Sequence, residues 1–278
     1  MLKVGIFQGR LSPIVDGKIQ AFPQQGWEAE FTAAKACGFE LMEWVLDSGS
    51  LLVNPILSRA GRSRILDLSR QSEIRVSAVC VDNFMDFPVW ASCDLGDGWT
   101  PRRLLEELIG TCPAIGVEHI EIPLIGKSSI ESPGHEKLAV AFLNKIASLC
   151  EMHGVNILLE TSLPPKGVAS FLEKLHSKRI LLNYDLGNSA YWQFNPREEL
   201  RLYGGQIGNI HIKDCTPEKY SVPLGVGNVD FALIFQLLKK ADYRGDFILQ
   251  TARSAEDHVG TAMRFLEFTR PYVDQLKA

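Results

Sequence analysis

The sequence has little of what would classify it at a glance. Its six cysteines (Cys37, Cys80, Cys93, Cys112, Cys150 and Cys215) form no C-x-x-C pair. That removes the spacing of a zinc ribbon or a dithiol redox site and leaves thiols that serve as small apolar residues in a reducing compartment. No apolar run approaches the roughly 18 residues a membrane-spanning helix needs. The opening Met-Leu-Lys-Val-Gly-Ile-Phe lacks the longer apolar stretch and small-residue cleavage site of a secretory signal. Nor is there a positive excess: 29 Lys and Arg face 33 Asp and Glu, a formal charge of −4, so the chain as a whole carries no electrostatic footprint for a phosphate backbone. No linker rich in Pro, Gly or Ser divides the 278 residues. The expectation is a cytoplasmic protein with a single domain over 1–278 that contacts neither nucleic acid nor membrane.

What is present is rhythm. Short β-branched or aliphatic runs at Val4–Gln8, Leu41–Val45, Val76–Val81, His119–Leu124, Ile157–Thr161, Ile180–Asp185, Gly208–Lys213 and Phe247–Thr251 alternate with amphipathic helical patterns. Phe231, Ile234, Phe235 and Leu238 mark one helical face, and Leu138, Phe142, Ile146 and Leu149 another. Thr100-Pro101 reads as a helix start, as does Asp230; Gly154 reads as a stop. Eight strand-then-helix units in this length fit an α/β fold of the (β/α)8 TIM-barrel type. An open doubly wound sheet would ordinarily carry G-x-G-x-x-G after a strand, and none occurs.

Polar residues at strand ends then demand a reason, because barrel strands should be apolar. Gln8, Glu43, Glu160, Asp185, His211 and Gln250 all stand there. Alternation along each strand sets Leu158 and Glu160 against Ile157 and Leu159, and Asn209 and His211 against Ile210 and Ile212. With the apolar set on the helices, Glu160, Asp185, His211 and Gln250 converge at the C-terminal mouth. Two carboxylates, an imidazole and an amide oxygen make a site for a divalent cation such as Mn²⁺, Mg²⁺, Co²⁺ or Zn²⁺. Burying the two carboxylates together without a cation is costly.

Two long connections, Arg10–Gln25 and Asp82–Trp99, follow strands and so belong to that same mouth. The second, with Phe84, Phe87, Trp90 and Trp99, reads equally as an aromatic wall over a sugar-sized ligand or as a hydrophobic plug or subunit contact, which leaves a homo-oligomer open. Lys213 and Arg253 are candidate anion contacts, and Gln8 and Arg10 candidate substrate contacts. Gly225-Val226-Gly227-Asn228 reads as a tight turn or as a backbone phosphate seat.

The segments GFELMEW (38–44), ILLET (157–161), NYDLGNSAY (183–191), NIHIKD (209–214) and PLGVGNVDF with LLKKADYRGDFILQTAR (223–253) resemble, in content and order, the xylose isomerase-like TIM-barrel superfamily. The resemblance implies sugar or sugar-phosphate isomerases and epimerases that move a proton beside a carbonyl through an enediolate. It also implies that Glu160, Asp185 and His211 are metal ligands. The fourth ligand in that family is usually Glu, where this chain has Gln250; an amide can ligate through oxygen but cannot act as a base. Asn188 replaces a His found in many relatives, at a substrate-facing position. A one-base route through Glu160 or an acid/base role for Glu43 is what remains. The endonucleases of the superfamily need more histidines and acids than stand here. A non-catalytic sugar-binding barrel and a metal-assisted lyase or dehydratase are the alternatives.

Overall fold

The computed structural model describes residues 2–277. Eight parallel strands close into a barrel: β1 (Val4–Phe7), β2 (Leu41–Val45), β3 (Arg75–Cys80), β4 (His119–Leu124), β5 (Asn156–Thr161), β6 (Ile180–Asp185), β7 (Ile207–Ile212) and β10 (Asp246–Leu249). Each strand lies beside its neighbours in chain order, and the Val4–Phe247 register joins the last to the first. Three strands have the expected bounds and the other five differ by one or two residues at an end.

Helices follow the strands and shield the barrel from outside. Their ends obey the expected punctuation. Thr100 Oγ1 accepts from the Arg103 amide at 3.2 Å ahead of α4 (Pro101–Thr111). Asp230 Oδ1 accepts from the Leu233 amide at 2.9 Å ahead of α9 (Phe231–Lys240). Gly154 ends α5 (Pro133–His153) at φ +70°, a conformation that favours glycine. The core runs unbroken from the barrel through the helix layer. All six cysteines are free, four of them buried. Among the described residues no helix is long and apolar enough to cross a membrane.

One element is absent from the sequence expectation. After β7 the chain makes an antiparallel hairpin at the barrel mouth, β8 (Asp214–Thr216) with β9 (Lys219–Val222). With only three and four residues, and no alternating apolar face, it carries too little pattern to be read in advance.

The first long connection is tied down by a carboxylate. Glu30, on α1 (Trp27–Cys37), is 1% exposed and accepts the Gly9 amide at 2.9 Å and the Leu11 amide at 3.0 Å. Burial pushes its carboxyl up to about 7, against the opposing pull of those hydrogen bonds. Removing the acceptor strands two buried N–H groups, at about 1–3 kcal/mol each, so Glu30→Ala should lower stability by several kcal/mol in urea unfolding. The pH dependence has a defined sign. The folded state holds the Glu30 proton more tightly than the unfolded chain, so the stability this group contributes is complete below about pH 4.5 and is lost as pH rises towards 7. The stability of wild type relative to Glu30→Gln, which does not titrate, should therefore fall across that interval.

Candidate metal centre

His211 lies at the centre of the mouth. It projects from β7, is fully buried, and meets the ring of Phe7 edge-on at 5.9 Å. Its Nε2 is 2.9 Å from Glu43 Oε2 on β2 and 3.2 Å from Glu121 Oε2 on β4. Its Nδ1 faces Glu160 Oε2 on β5 at 3.6 Å and has no hydrogen-bond partner. With the Nε2 proton given to Glu43, Nδ1 is left as a free lone pair directed at a carboxylate, a pair of atoms that a cation between them would reconcile. Glu121 Oε2 and Glu43 Oε1 are likewise buried without a hydrogen bond. The ligand atoms of Glu121, Glu160 and His211 lie within 4.8 Å of one another. Those of Glu43, Cys80 and Glu121 form an adjoining group, but burial raises the Cys80 thiol well above its usual range. It stays protonated and faces Glu121 Oε1 at 3.5 Å and Asp82 Oδ1 at 3.3 Å.

Glu160 is held from its own layer. Asn209 Nδ2 donates to Asn183 Oδ1 at 3.1 Å, Asn183 Nδ2 donates to Glu160 Oε2 at 3.3 Å, and Asn188 Nδ2 donates to Glu160 Oε1 at 2.5 Å. Asn188 comes from the short helix α7 (Leu186–Tyr191), which Asp185 caps by accepting the Asn188 amide at 2.8 Å. Lys213, just past β7 and 5% exposed, sits 3.0 Å from Asn188 Oδ1, 3.4 Å from Asp185 Oδ2 and 3.8 Å from the centre of the Tyr220 ring.

Charge here is out of balance. Glu43, Glu121, Glu160 and Asp185 are all buried, against Lys213 and at most one proton on His211. Glu121 is raised well above the carboxylate range, first by burial and then by Glu43 and Glu160. Glu160 is raised by burial and then by Asp185. For His211, burial favours the neutral ring, but Glu43, Glu160 and Asp185 outweigh it and the imidazole pKa is raised. The cluster is thus short of positive charge, and its oxygen and nitrogen donors suit a divalent ion.

A cavity of about 400 Å³ opens above it, and Glu121, Glu160, Lys213 and Gln250 line it with Arg10 and Tyr220. Of the residues expected at the site, Glu160 and His211 come together in the close-packed group. Asp185 is turned to its helix cap and Lys213, and Gln250 stands on the cavity wall. Glu43 lies beneath His211 and is fully buried. Gln8 points down, accepting the Val45 amide at 3.1 Å. Arg10 reaches the wall, yet its guanidinium donates to Thr251 O, Ile19 O and Gln20 Oε1, and burial followed by repulsion from Arg253 brings its pKa down to about 9. Arg253 donates to Ser12 O at 2.6 Å and to Ile19 O, bracing the first connection.

Two loop readings are now decided. The Gly225–Asn228 segment is no phosphate seat, because Asp214 already fills it: its carboxylate accepts from the Gly225 and Gly227 amides at 2.9 Å each and the Val229 amide at 3.1 Å. A side chain on Gly227 would collide with Asp214. The aromatics of 82–99 form no wall over the cavity. Phe84 is buried in the core, Trp90 packs near His135, and Trp99 lies under Arg103; the ring on the wall is Tyr220 of the hairpin.

Sequence reasoning missed Glu121, Asp82, Gln20 and Tyr220 as site residues. A signal existed for Glu121: a carboxylate in the middle of the strand His-Ile-Glu-Ile-Pro-Leu, between two isoleucines. Tyr220 depends on the hairpin, which had none.

Relatives match this chain over most of its length. A putative L-ribulose-5-phosphate 3-epimerase, SgbU, of Haemophilus influenzae is 27% identical over 240 residues, covering 81% of this chain and 83% of that protein. Among solved structures, an L-ribulose 3-epimerase superposes with a TM-score of 0.76 at 19% identity, over 100% of this chain and 96% of the other. A xylose isomerase-like TIM barrel protein from Mycobacterium smegmatis in complex with magnesium superposes with a TM-score of 0.73 at 17% identity, over 100% and 98%. The sequence profile of the xylose isomerase-like TIM barrel family matches residues 31–269, and the chain belongs to that family.

Proposed function

We propose that this protein is a divalent-metal-dependent isomerase or epimerase of a ketose or ketose phosphate, working by proton transfer beside the carbonyl. The observation that carries the reading is the meeting of two features: the buried Glu121–Glu160–His211 group opens directly onto a sugar-sized cavity. The epimerase relatives support the substrate class.

Glu160 is the base. Its carboxylate is fixed by two amide donors, Asn183 and Asn188, so the oxygen that takes the proton is positioned before substrate arrives. Burial and the neighbouring Asp185 raise its pKa, which brings it nearer the value that suits proton abstraction at neutral pH. Lys213, facing the cavity, stabilises negative charge on a substrate oxygen. Glu160 and His211 Nδ1 would hold the cation, with Glu121, Asp185 and Gln250 as the remaining donors around the mouth; when bound, the ion supplies Lewis-acid stabilisation of the oxygen charge that develops. Glu43 keeps the imidazole oriented from below.

Three experiments test this. Exchange of the substrate C–H with deuterated water, followed by proton NMR on a panel of ketoses and ketose phosphates, should fall about 10²-fold or more in Glu160→Gln for at least one sugar that exchanges with wild type; undiminished exchange from every such sugar removes Glu160 from the role. The purified protein should contain a divalent metal that His211→Ala loses, and comparing Glu121→Gln with Asp185→Asn identifies which acid completes the site. Because protons compete for His211 and Glu160, both with raised pKa, affinity measured by titration with Mn²⁺ should be greatest at alkaline pH. As pH is lowered, the loss of affinity should already set in above pH 6.5, the ordinary imidazole value.

A further inference from the structure

Inverting a stereocentre beside a carbonyl needs a group that removes a proton from one face and another that delivers a proton to the opposite face. Gln250 cannot be either. Three carboxylates line the cavity: Asp82, Glu121 and Glu160. Two of them belong to the group around His211. Asp82 stands apart from it, on the connection just beyond β3.

Resting on the function proposed above, we infer that Asp82, just past the end of β3, is the second proton-transfer residue, which makes the protein a two-base epimerase. Asp82 is placed with care. Its Oδ2 accepts from Gln20 Nε2 at 2.5 Å, its Oδ1 faces the Cys80 thiol at 3.3 Å, and Gln20 is itself held by Arg10 across the roof of the cavity. The carboxylate is therefore fixed from both oxygens while it lines the cavity where substrate sits, as Glu160 is two strands away on β5. Burial, the largest influence, pushes its carboxyl up to about 6, close to where a general acid and base must exchange roles.

The proton balance closes. Glu160 takes the C–H proton of one epimer, and the electron pair of that bond moves into the enediolate as charge develops on the carbonyl oxygen. Asp82, protonated, gives its proton to the other face of the same carbon, the pair returns to form the new C–H bond, and the carbonyl re-forms. Glu160 is left protonated and Asp82 ionised, and exchange with solvent restores both. The reverse reaction uses them in the opposite order.

The test uses the Mn²⁺-loaded protein in deuterated water with L-ribulose 5-phosphate and, separately, its C3 epimer L-xylulose 5-phosphate, and then the same two sugars without phosphate. Loss of the C3 proton and conversion between epimers are both followed by NMR. In Asp82→Asn, with Asp82→Ser as a second replacement, interconversion should fall about 10²-fold or more. C3–H exchange should persist from the one epimer that presents its proton to Glu160 and vanish from the other. Glu160→Gln should show the opposite asymmetry. Wild-type rates of interconversion in the Asp82 variants, or equal loss of exchange from both epimers in a variant with normal melting temperature and metal content, would overturn Asp82 as the second residue and leave the functional reading standing. A wild-type protein inert towards every epimer pair would instead overturn that reading, and this inference with it.

Discussion

The mouth of this barrel is governed by an electrostatic constraint: four buried carboxylates share one imidazole and one ammonium. An isolated carboxylate in an apolar barrel would take up a proton, and Glu121 shows that tendency. What prevents the cluster from simply neutralising is its supply of directed donors. The Asn209–Asn183 ladder and Asn188 give Glu160 two hydrogen bonds, the α7 cap gives Asp185 another, and His211 Nε2 pairs with Glu43 at 2.9 Å. Each carboxylate keeps a fixed orientation, and the atoms left without partners, His211 Nδ1 and Glu121 Oε2, lie in the same small volume. Orphaned donor atoms cost free energy in a closed core; clustered at a cavity, they are what a ligand-binding site is made of.

Around this cluster the loops are immobilised by the protein's own acids. Glu30 secures the first connection from below through two backbone amides, and Asp214 secures the turn after the hairpin through three amides at residues 225, 227 and 229. Both carboxylates occupy positions that an exogenous anion could otherwise have taken. The cavity is consequently roofed by chain whose backbone polar groups are already satisfied. Its chemistry comes from side chains: Lys213 and Tyr220, and Asp82 with Gln20, all on its lining.

The barrel and half of the site were legible in the sequence for a shared reason. Strand periodicity of two, combined with the demand that barrel strands be apolar, makes an end-of-strand Glu160 or His211 conspicuous, and its side can be assigned by parity alone. The same rule failed to pick out Glu121, because it stands inside a strand rather than at the end, where a polar residue is expected. Asp82 and Gln20 lie on connections, whose paths over the mouth have no period to follow. Tyr220 needed the β8–β9 hairpin, and a strand pair of three and four residues gives too little alternation to register. Ambiguous loop glycines were resolved only by a partner distant in their local pattern: Gly225 and Gly227 serve Asp214, not phosphate.

Gln250 and Lys213 act on the site in the same direction. Compared with the family's usual carboxylate at position 250, the amide removes one negative charge from the rim, and Lys213 adds a positive one beside Asp185. Four buried carboxylates still surround the imidazole, so these two side chains moderate the negative field of the mouth without reversing it. An amide at position 250 does not titrate, so it offers the same oxygen at every protonation state of the site and can neither take nor give the substrate's proton. A second proton-transfer group must then stand elsewhere on the cavity lining, outside the donor group around His211, and Asp82 is the carboxylate whose position meets that requirement.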